Sequence, residues 1–256
     1  MPNYLINLDR DTRRLDRMRA ELSRLGVEFE RIPGVDGTAL SSQVVAEFRY
    51  LRPLSGGDPR RVWTVGHIGC FLSHVAVWRR IASGSDPIAA VFEDDVHLSA
   101  LLGRFLQDFG WVPGDADIVR FETTGHGMRL GKAAARHEGI AVRPASFNAW
   151  GTAGYAIRRD VAAWLISAPP RYHAPIDYFL FHTPTSPVAR VLRVYQTDPA
   201  LCVQDSHHPA SPNALLFESA TNPMAAENVT LVRRVYLLAR PAARLALRRR
   251  AVPFQG

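Results

Sequence analysis

Cysteine and lysine are nearly absent from this chain of 256 residues. Two cysteines, Cys70 and Cys202, exclude a disulfide framework and a cysteine-rich zinc module, and so small a number fits a reducing cytoplasm. No apolar run is long enough to span a bilayer. Met1-Pro2-Asn3-Tyr4 leads straight into a strand-like segment, so no signal peptide is expected. Acidic residues are missing from 229–256, which instead holds seven arginines, Arg233, Arg234, Arg240, Arg244, Arg248, Arg249 and Arg250. These account for the whole formal charge of +7 and leave 24 basic against 24 acidic residues in 1–228. A duplex-binding domain carries its basic surface on the folded body, so no nucleic-acid partner is expected. Lys132 is the only basic residue that is not arginine, which reads mainly as genomic codon bias. What is present is ordinary for a folded domain: 47% apolar and 21% charged residues provide a sizeable core and exclude disorder as the default. The length suits one large domain, or a domain with a short appendage.

Tyr4 to Leu8 reads as a short buried strand. Asp11 or Thr12 can cap a helix that places Leu15, Met18, Leu22 and Leu25 on one face and stops at Gly26. Val27 to Ile32 reads as a second strand, ended by Pro33-Gly34. This βαβ opening predicts an α/β architecture with a mostly parallel central sheet. Residues 38–62 are ambiguous, and Pro53 and 55–59 mark a loop. A helix is expected from Gly66 to about Ile81, broken by residues 83–87. Ile88 to Phe92 is then a continuous apolar run, predicted to be a central strand, and it enters Glu93-Asp94-Asp95 directly. Further strands are expected at 117–122, 150–157 and 191–195, with a short helix from Arg159 to Ala168. There is no internal repeat and no low-complexity segment.

The acid triplet carries the most chemistry. Ligands of open α/β sheets bind outside the carboxyl ends of strands. Three adjacent acids at such an end repel one another unless a cation intervenes, and hard carboxylate oxygens suit Mg²⁺ or Mn²⁺. A solvated turn capping the next helix is the competing reading. His74, after Ser73 in the Gly66–His74 stretch, is either a ligand-facing imidazole or a satisfied structural residue, and Gly66 and Gly69 permit a phosphate to approach free N–H groups. Asn7, Asp9, Arg13 and Arg14 follow the first strand, where a nucleotide's base and ribose would lie, or where acids merely cap a helix. Asp177, beside Ile176 and Tyr178-Phe179, is either a general base in apolar surroundings or a buried helix cap. Glu122 ends its strand on an acid. Gln204-Asp205-Ser206-His207-His208 offers imidazoles to a metal or phosphate, or forms a polar loop.

In the last segment Leu231, Val235, Leu238, Ala242 and Leu245 fall on one side of a helical projection, and Arg233, Arg240, Arg244 and Arg248 on the other, with a kink expected at Pro241. Such a segment can lie on an anionic membrane interface, pack on the body, or be disordered. The chain is therefore divided into a body, 1–228, and a basic amphipathic tail, 229–256.

Taken together, several stretches resemble glycosyltransferase family 25, which includes bacterial lipooligosaccharide galactosyltransferases and collagen galactosyltransferases. They are Tyr4-Leu5-Ile6-Asn7-Leu8-Asp9-Arg10 with Arg13-Arg14, Pro33-Gly34-Val35-Asp36-Gly37, the Gly66–His74 stretch, and Val91-Phe92-Glu93-Asp94-Asp95-Val96. Further on come Gly151 to Ile157, Pro175-Ile176-Asp177 and Val203-Gln204-Asp205-Ser206. The set keeps the family's order over residues 3–206. The resemblance implies a GT-A-like, Rossmann-type nucleotide-binding fold, a UDP-sugar donor carrying galactose or glucose, Mn²⁺ or Mg²⁺, and transfer with inversion to an oligosaccharide or glycolipid acceptor such as lipopolysaccharide. It casts Glu93-Asp94-Asp95 as the counterpart of a DxD motif, with Asp95 on the metal, Asp94 on the ribose or the metal, and His207 as a further metal ligand. It places Asn7, Asp9, Arg13, Ser73, His74 and Glu122 about the nucleotide, and Asp177 with Glu93 at the chemistry. Ala153 departs from the family's bulkier residue, which bears on donor or acceptor preference.

Three functions compete on these grounds: a UDP-sugar-dependent transferase, a metal-dependent phosphohydrolase or nuclease using the same acids, and a non-catalytic membrane-associated scaffold. The first implies a cytoplasmic protein held peripherally on the inner face of the membrane.

Overall fold

The structure is a computed structural model and describes residues 2–50, 52–53, 64–146, 150–167, 172–173, 175–184, 186–208 and 249–256. The βαβ opening is present. Strand Asn3–Asn7 is followed by helix Thr12–Arg24, whose Leu15, Met18 and Leu22 are buried at helical spacing. Gly26 then takes a φ of +67°, where a side chain would be strained, and ends the helix. The second strand is shorter than the apolar pattern predicts, Glu30–Pro33, and pairs parallel to Asn3–Asn7.

Strand Ile88–Glu93 is internal, as its unbroken apolar run requires. It runs parallel to Asn3–Asn7 on one side and antiparallel to Gly154–Arg158 on the other. Sheet order continues through Ile118–Arg120, Val194–Asp198, Ile140–Ser146 and Arg129–Leu130, and antiparallel pairs outnumber parallel ones. The sheet is therefore mixed, parallel only around its opening strands and between Ile118–Arg120 and Val194–Asp198.

Side chains of the internal strands alternate between two cores. Tyr4, Ile6, Ala89, Val91, Ile118, Tyr155 and Ile157 pack on one face, with helices Val65–Ala82, Arg159–Ser167 and Ile176–Phe181. Leu5, Ala90, Phe92, Val119 and Ala156 pack on the other, with Thr12–Arg24 and Leu102–Gln107. Both faces are covered, which is why these strands lack a polar face.

Three differences from the sequence expectations follow from tertiary context. Ser42–Tyr50 is a helix within the stretch left ambiguous. The segment expected as one strand at 117–122 splits, because Phe121 lies between the main sheet and strand Glu122–Thr123, which joins Val96–Leu98 and Cys202–Gln204 in a second sheet. The strands expected at 150–157 and 191–195 begin later, at Gly154 and Val194.

The end of the chain returns to the body. Met128 and Arg250 exchange backbone hydrogen bonds at 2.9 and 3.0 Å, Ala200 N–H donates to Pro253 O at 2.8 Å, and Thr123 Oγ1 donates to Val252 O at 2.7 Å. Val252 is 1% exposed. The amphipathic pattern at 231–245 lies outside the described residues.

Candidate functional site

The register of the sheet brings the acid triplet to its place. Ile6 pairs with Glu93 across the parallel ladder, Phe92 lies opposite Gly154, and Gln204 lies opposite Val96. The turn after Glu93 is thus bordered by the end of strand Asn3–Asn7 on one side, and by loop 150–153 and strand Cys202–Gln204 on the other.

The three acids point to different partners. Asp94 faces the first strand and helix: its Oδ2 accepts from Asn7 Nδ2 at 2.6 Å and its Oδ1 from Arg14 Nη1 at 3.2 Å, while Arg17 donates to its carbonyl at 3.0 Å. Asn7 Oδ1 accepts from Arg31 Nε at 2.9 Å, and Arg31 also pairs with the exposed Asp9. Arg13, expected at this edge, is exposed, and its neighbour Arg14 makes the contact, because the helix turns that position toward the strand end. Glu93 and Asp95 face the opposite way. Gln204 Nε2 donates to Glu93 Oε2 and to Asp95 Oδ1, each at 3.5 Å. Burial, then the charge of Glu93, pushes the Asp95 carboxyl up to about 7.

Glu93 is also the end of a buried relay. Trp78 Nε1 donates to the Tyr155 hydroxyl at 2.9 Å, that hydroxyl lies 2.9 Å from His74 Nδ1, and His74 Nε2 lies 3.1 Å from Glu93 Oε1. An indole N–H only donates, and an ionised carboxylate only accepts. These partners are consistent with His74 Nε2–H donating to Glu93 and the Tyr155 hydroxyl donating to Nδ1. Thr152 Oγ1 also donates to Glu93 Oε1, at 3.1 Å. Cys70 Sγ, one helical turn before His74, completes the group of His, Cys and acidic side chains whose donor atoms come within 4.8 Å among the described residues. Cys70, not expected in the site, is drawn in by its i, i+4 spacing to His74. Asp94, Asp95 and His207, the expected metal ligands, are not drawn together in this way: Asp94 is turned to Asn7, and the His207 ring lies beside His126.

Ser73 and the glycines near it do structural work. Ser73 Oγ accepts from Val35 N–H at 2.8 Å and donates to Gly69 O at 2.7 Å. A Cβ on Gly69 would lie 2.5 Å from Val35 O, so the helix start is filled by the turn after Pro33 and not by a phosphate. His67, paired with Thr64, closes a capping box there.

Loop 150–153 is gripped by charge from below. Arg120, fully buried, donates to the carbonyls of Trp150 and Gly151 and to Gln196 Oε1. Glu122 Oε2 accepts from Ala153 N–H at 2.8 Å. Glu122, expected at the nucleotide, is instead wholly buried beneath this loop, and burial pushes its carboxyl up to about 8. Its strand turns inward into the second sheet, which is the reason for the difference. Asp177 Oδ2 accepts from Gly151 N–H at 3.3 Å and Oδ1 from Tyr178 N–H at 2.8 Å, and burial raises its carboxyl.

Carboxylates at the end of an internal strand, beside an amide and arginine edge in an α/β sheet, stand where ligands of such sheets bind. Residues 1–180 match the model of glycosyltransferase family 25, described as an LPS biosynthesis protein. The chain belongs to that family. It is 34% identical over 150 residues to the lacto-N-neotetraose biosynthesis glycosyltransferase LgtB of Neisseria meningitidis serogroup A, covering 54% of this chain and 53% of that protein. The serogroup B LgtB is 28% identical over 218 residues, 81% of this chain and 77% of that protein. The Xenopus laevis procollagen galactosyltransferase 1-A is 29% identical over 184 residues, 69% of this chain and 30% of that protein. The first of these matches thus spans about half the length of its relative. Among the described residues, no helix is long and apolar enough to cross a membrane.

Proposed function

We propose that this enzyme moves a hexose, galactose or glucose, from a UDP-sugar to a glycan acceptor of the lipopolysaccharide or lipooligosaccharide type, with inversion. The observation that carries the reading is the split of the acid triplet. Asp94 closes on Asn7 and Arg14 at the nucleotide edge, while Glu93 and Asp95 face Gln204 and loop 150–153.

In the reaction the acceptor hydroxyl oxygen bonds to the anomeric carbon as that carbon's bond to the diphosphate oxygen breaks. UDP leaves with the bonding pair, and the hydroxyl proton passes to a carboxylate. We assign that base to Asp177, whose carboxyl burial raises above its ordinary range, which makes it a better proton acceptor than an exposed carboxylate. Its two bonds from backbone N–H groups fix its orientation. Asn7 and Asp94 are assigned to the ribose and base, with Arg14 and Arg31 supplying positive charge toward the diphosphate. The relay from Trp78 holds Glu93 in one orientation.

The donor set of Glu93 and Asp95 fits a divalent cation. Two carboxylates share one amide donor, and Asp95 is so desolvated that it ionises only near neutrality, a cost that a cation removes. Glu93 and Asp95 would hold Mn²⁺ or Mg²⁺, which would supply charge stabilisation to the departing diphosphate. The arginines of 229–248 are assigned to an anionic membrane surface, each contributing about 1 kcal/mol near it, which would hold the enzyme peripherally where a glycolipid acceptor lies.

The test is thermal unfolding with Mn²⁺ and a panel of UDP-sugars, followed by product analysis with and without a glycan acceptor. A ligand that binds only the folded form raises its stability. Stabilisation by UDP-galactose or UDP-glucose, and sugar transfer that needs the acceptor, is the expected result. Acceptor-independent phosphate release with no sugar transfer would overturn it.

A further inference from the structure

The two sides of the acid turn differ in chemistry. On the side of strand Asn3–Asn7 stand three arginines, Arg14, Arg17 and Arg31, all bonded to Asn7 or Asp94. On the side of strand Gly154–Arg158 stands a run of rings. His126 lies 5.9 Å from Trp150 and 6.4 Å from His207, Trp150 meets Tyr178 edge-on at 4.9 Å, and Tyr178 stacks on His182 at 4.5 Å. None of the five is buried, and His126 and His207 are exposed.

The middle of this run and one of its ends are tied to the reacting carboxylates. Trp150 precedes Gly151, whose N–H donates to Asp177, and Thr152, whose hydroxyl donates to Glu93. His207 follows Gln204, whose amide donates to Glu93 and Asp95. The backbone of loop 150–153 is held by Arg120 and Glu122, so Trp150 is a fixed platform and not a loose surface ring.

We infer that His126, Trp150, Tyr178, His182 and His207 form the acceptor subsite, taking the terminal uncharged pyranose of the acceptor glycan with its apolar face on Trp150. This rests on the transferase reading proposed above. An uncharged sugar needs an aromatic face for its C–H groups and hydrogen-bond donors and acceptors for its hydroxyls, which Trp, Tyr and His rings provide. A diphosphate needs cations, which this side lacks among the rings and the opposite side supplies. The position also places an acceptor hydroxyl within the part of the site that holds Asp177 and Glu93. The competing occupant of a Trp platform is the uracil base of the donor.

The test has two readouts. The first is lactose binding followed by saturation-transfer NMR on the full chain with UDP and Mn²⁺ present. The second is UDP affinity by calorimetry, measured in the wild type and in Trp150→Ala, Trp150→Phe and His126→Ala. Thermal unfolding of each variant establishes that it folds, and Trp150→Phe, which keeps a ring, guards against collapse of the loop in Trp150→Ala. Expected is a loss of about tenfold or more in lactose affinity in Trp150→Ala, a smaller loss in His126→Ala, near-recovery in Trp150→Phe, and UDP affinity unchanged within about twofold. Unchanged lactose affinity in folded Trp150→Ala, or no lactose binding to the wild type, would overturn the subsite. So would a fall in UDP affinity, which would assign the platform to the base. None of these outcomes touches the transferase reading, which fails separately if no UDP-sugar supports transfer to any acceptor.

Discussion

Gln204 places its amide nitrogen 3.5 Å from Asp95 Oδ1, and it stands at the same distance from Glu93 Oε2. One neutral donor thus occupies the gap between two carboxylates, the place a cation would take. Asp95, pushed up to about 7, is largely protonated below neutrality and competes poorly for a metal there. Mn²⁺ affinity of the wild type should therefore fall as pH drops from 8 to 6. The apo protein should show the opposite stability trend: a carboxyl raised in the folded state favours folding below its unfolded value near 4, and that contribution is lost as pH rises through about 7. Asp95→Asn should then stabilise the apo protein at pH 8 and not at pH 4, abolish stabilisation by Mn²⁺, and reduce transfer by about a hundredfold or more. Calorimetric Mn²⁺ titration and unfolding scans across this pH range check each part. Full Mn²⁺ stabilisation in Asp95→Asn would remove the metal from this residue.

Tyr155 links two buried groups, Trp78 Nε1 and His74 Nδ1. Tyr155→Phe leaves both without a partner while keeping the ring. The cost in stability should be about 1–3 kcal/mol, the desolvation of orphaned buried polar groups. His74, no longer offered the hydroxyl proton, loses its fixed tautomer and with it the donation that orients Glu93. Turnover should fall while UDP affinity is kept. Denaturant unfolding and steady-state kinetics check this, and a loss of stability with unchanged turnover would reduce the relay to a packing feature.

How much of this was legible in advance depends on what each residue answers to. The run Ile88–Phe92 had to be an internal strand because it has no polar face, and the acids at its end had to lie at the carboxyl edge of the sheet. The helix Thr12–Arg24 followed from the spacing of Leu15, Met18 and Leu22. Identity of the partners was a different matter. Arg13 and Arg14 are equivalent in one dimension, and only the helix's rotation against strand Asn3–Asn7 selects Arg14. Glu122 looked like a strand-end ligand because nothing local says that the strand turns inward after Phe121. Gln204 meets Asp95 only through its pairing opposite Val96, a register set 108 residues away in the chain. Trp78 and Tyr155 read as core aromatics, and their polar ends become informative only once His74 stands between them and Glu93.

Gly151 sits at a φ of +83°, and a Cβ there would lie 2.3 Å from Glu122 Oε1, an oxygen with no hydrogen-bond partner. Gly151→Ala therefore combines backbone strain with a clash against a buried carboxyl that Ala153 N–H holds in place. A loss of about 2 kcal/mol or more is expected, together with reduced transfer, because Trp150, Thr152 and Asp177 are all set by this loop. In the Glu122→Ala background the clash is absent, so the added cost of Gly151→Ala should shrink to the strain alone, about 1 kcal/mol. A double-mutant cycle by urea unfolding measures the difference. Additive effects would show that the clash is relieved by movement elsewhere.

The last eight residues separate two roles that the basic tail would otherwise confound. Val252 is 1% exposed, Arg250 pairs with Asp198 as Arg143 also does at 2.7 Å, and Pro253 and Gln255 bond the backbone of Ala200. Removing 249–256 strips backbone partners from Met128, Thr123 and Ala200 and uncovers an apolar contact, so it should lower the unfolding temperature whether or not any membrane is present. Deleting the whole of 229–256 is for that reason a poor test of membrane contact. Replacing Arg233, Arg234, Arg240 and Arg244 by Gln leaves the docked segment intact. That variant should keep the wild-type unfolding temperature and its transfer to a soluble acceptor, yet lose at least about tenfold in binding to vesicles rich in anionic lipid, with the wild-type interaction weakening as salt is raised. Vesicle sedimentation across a salt series measures both. Undiminished binding in the Gln variant would show that these four arginines are not the membrane contact.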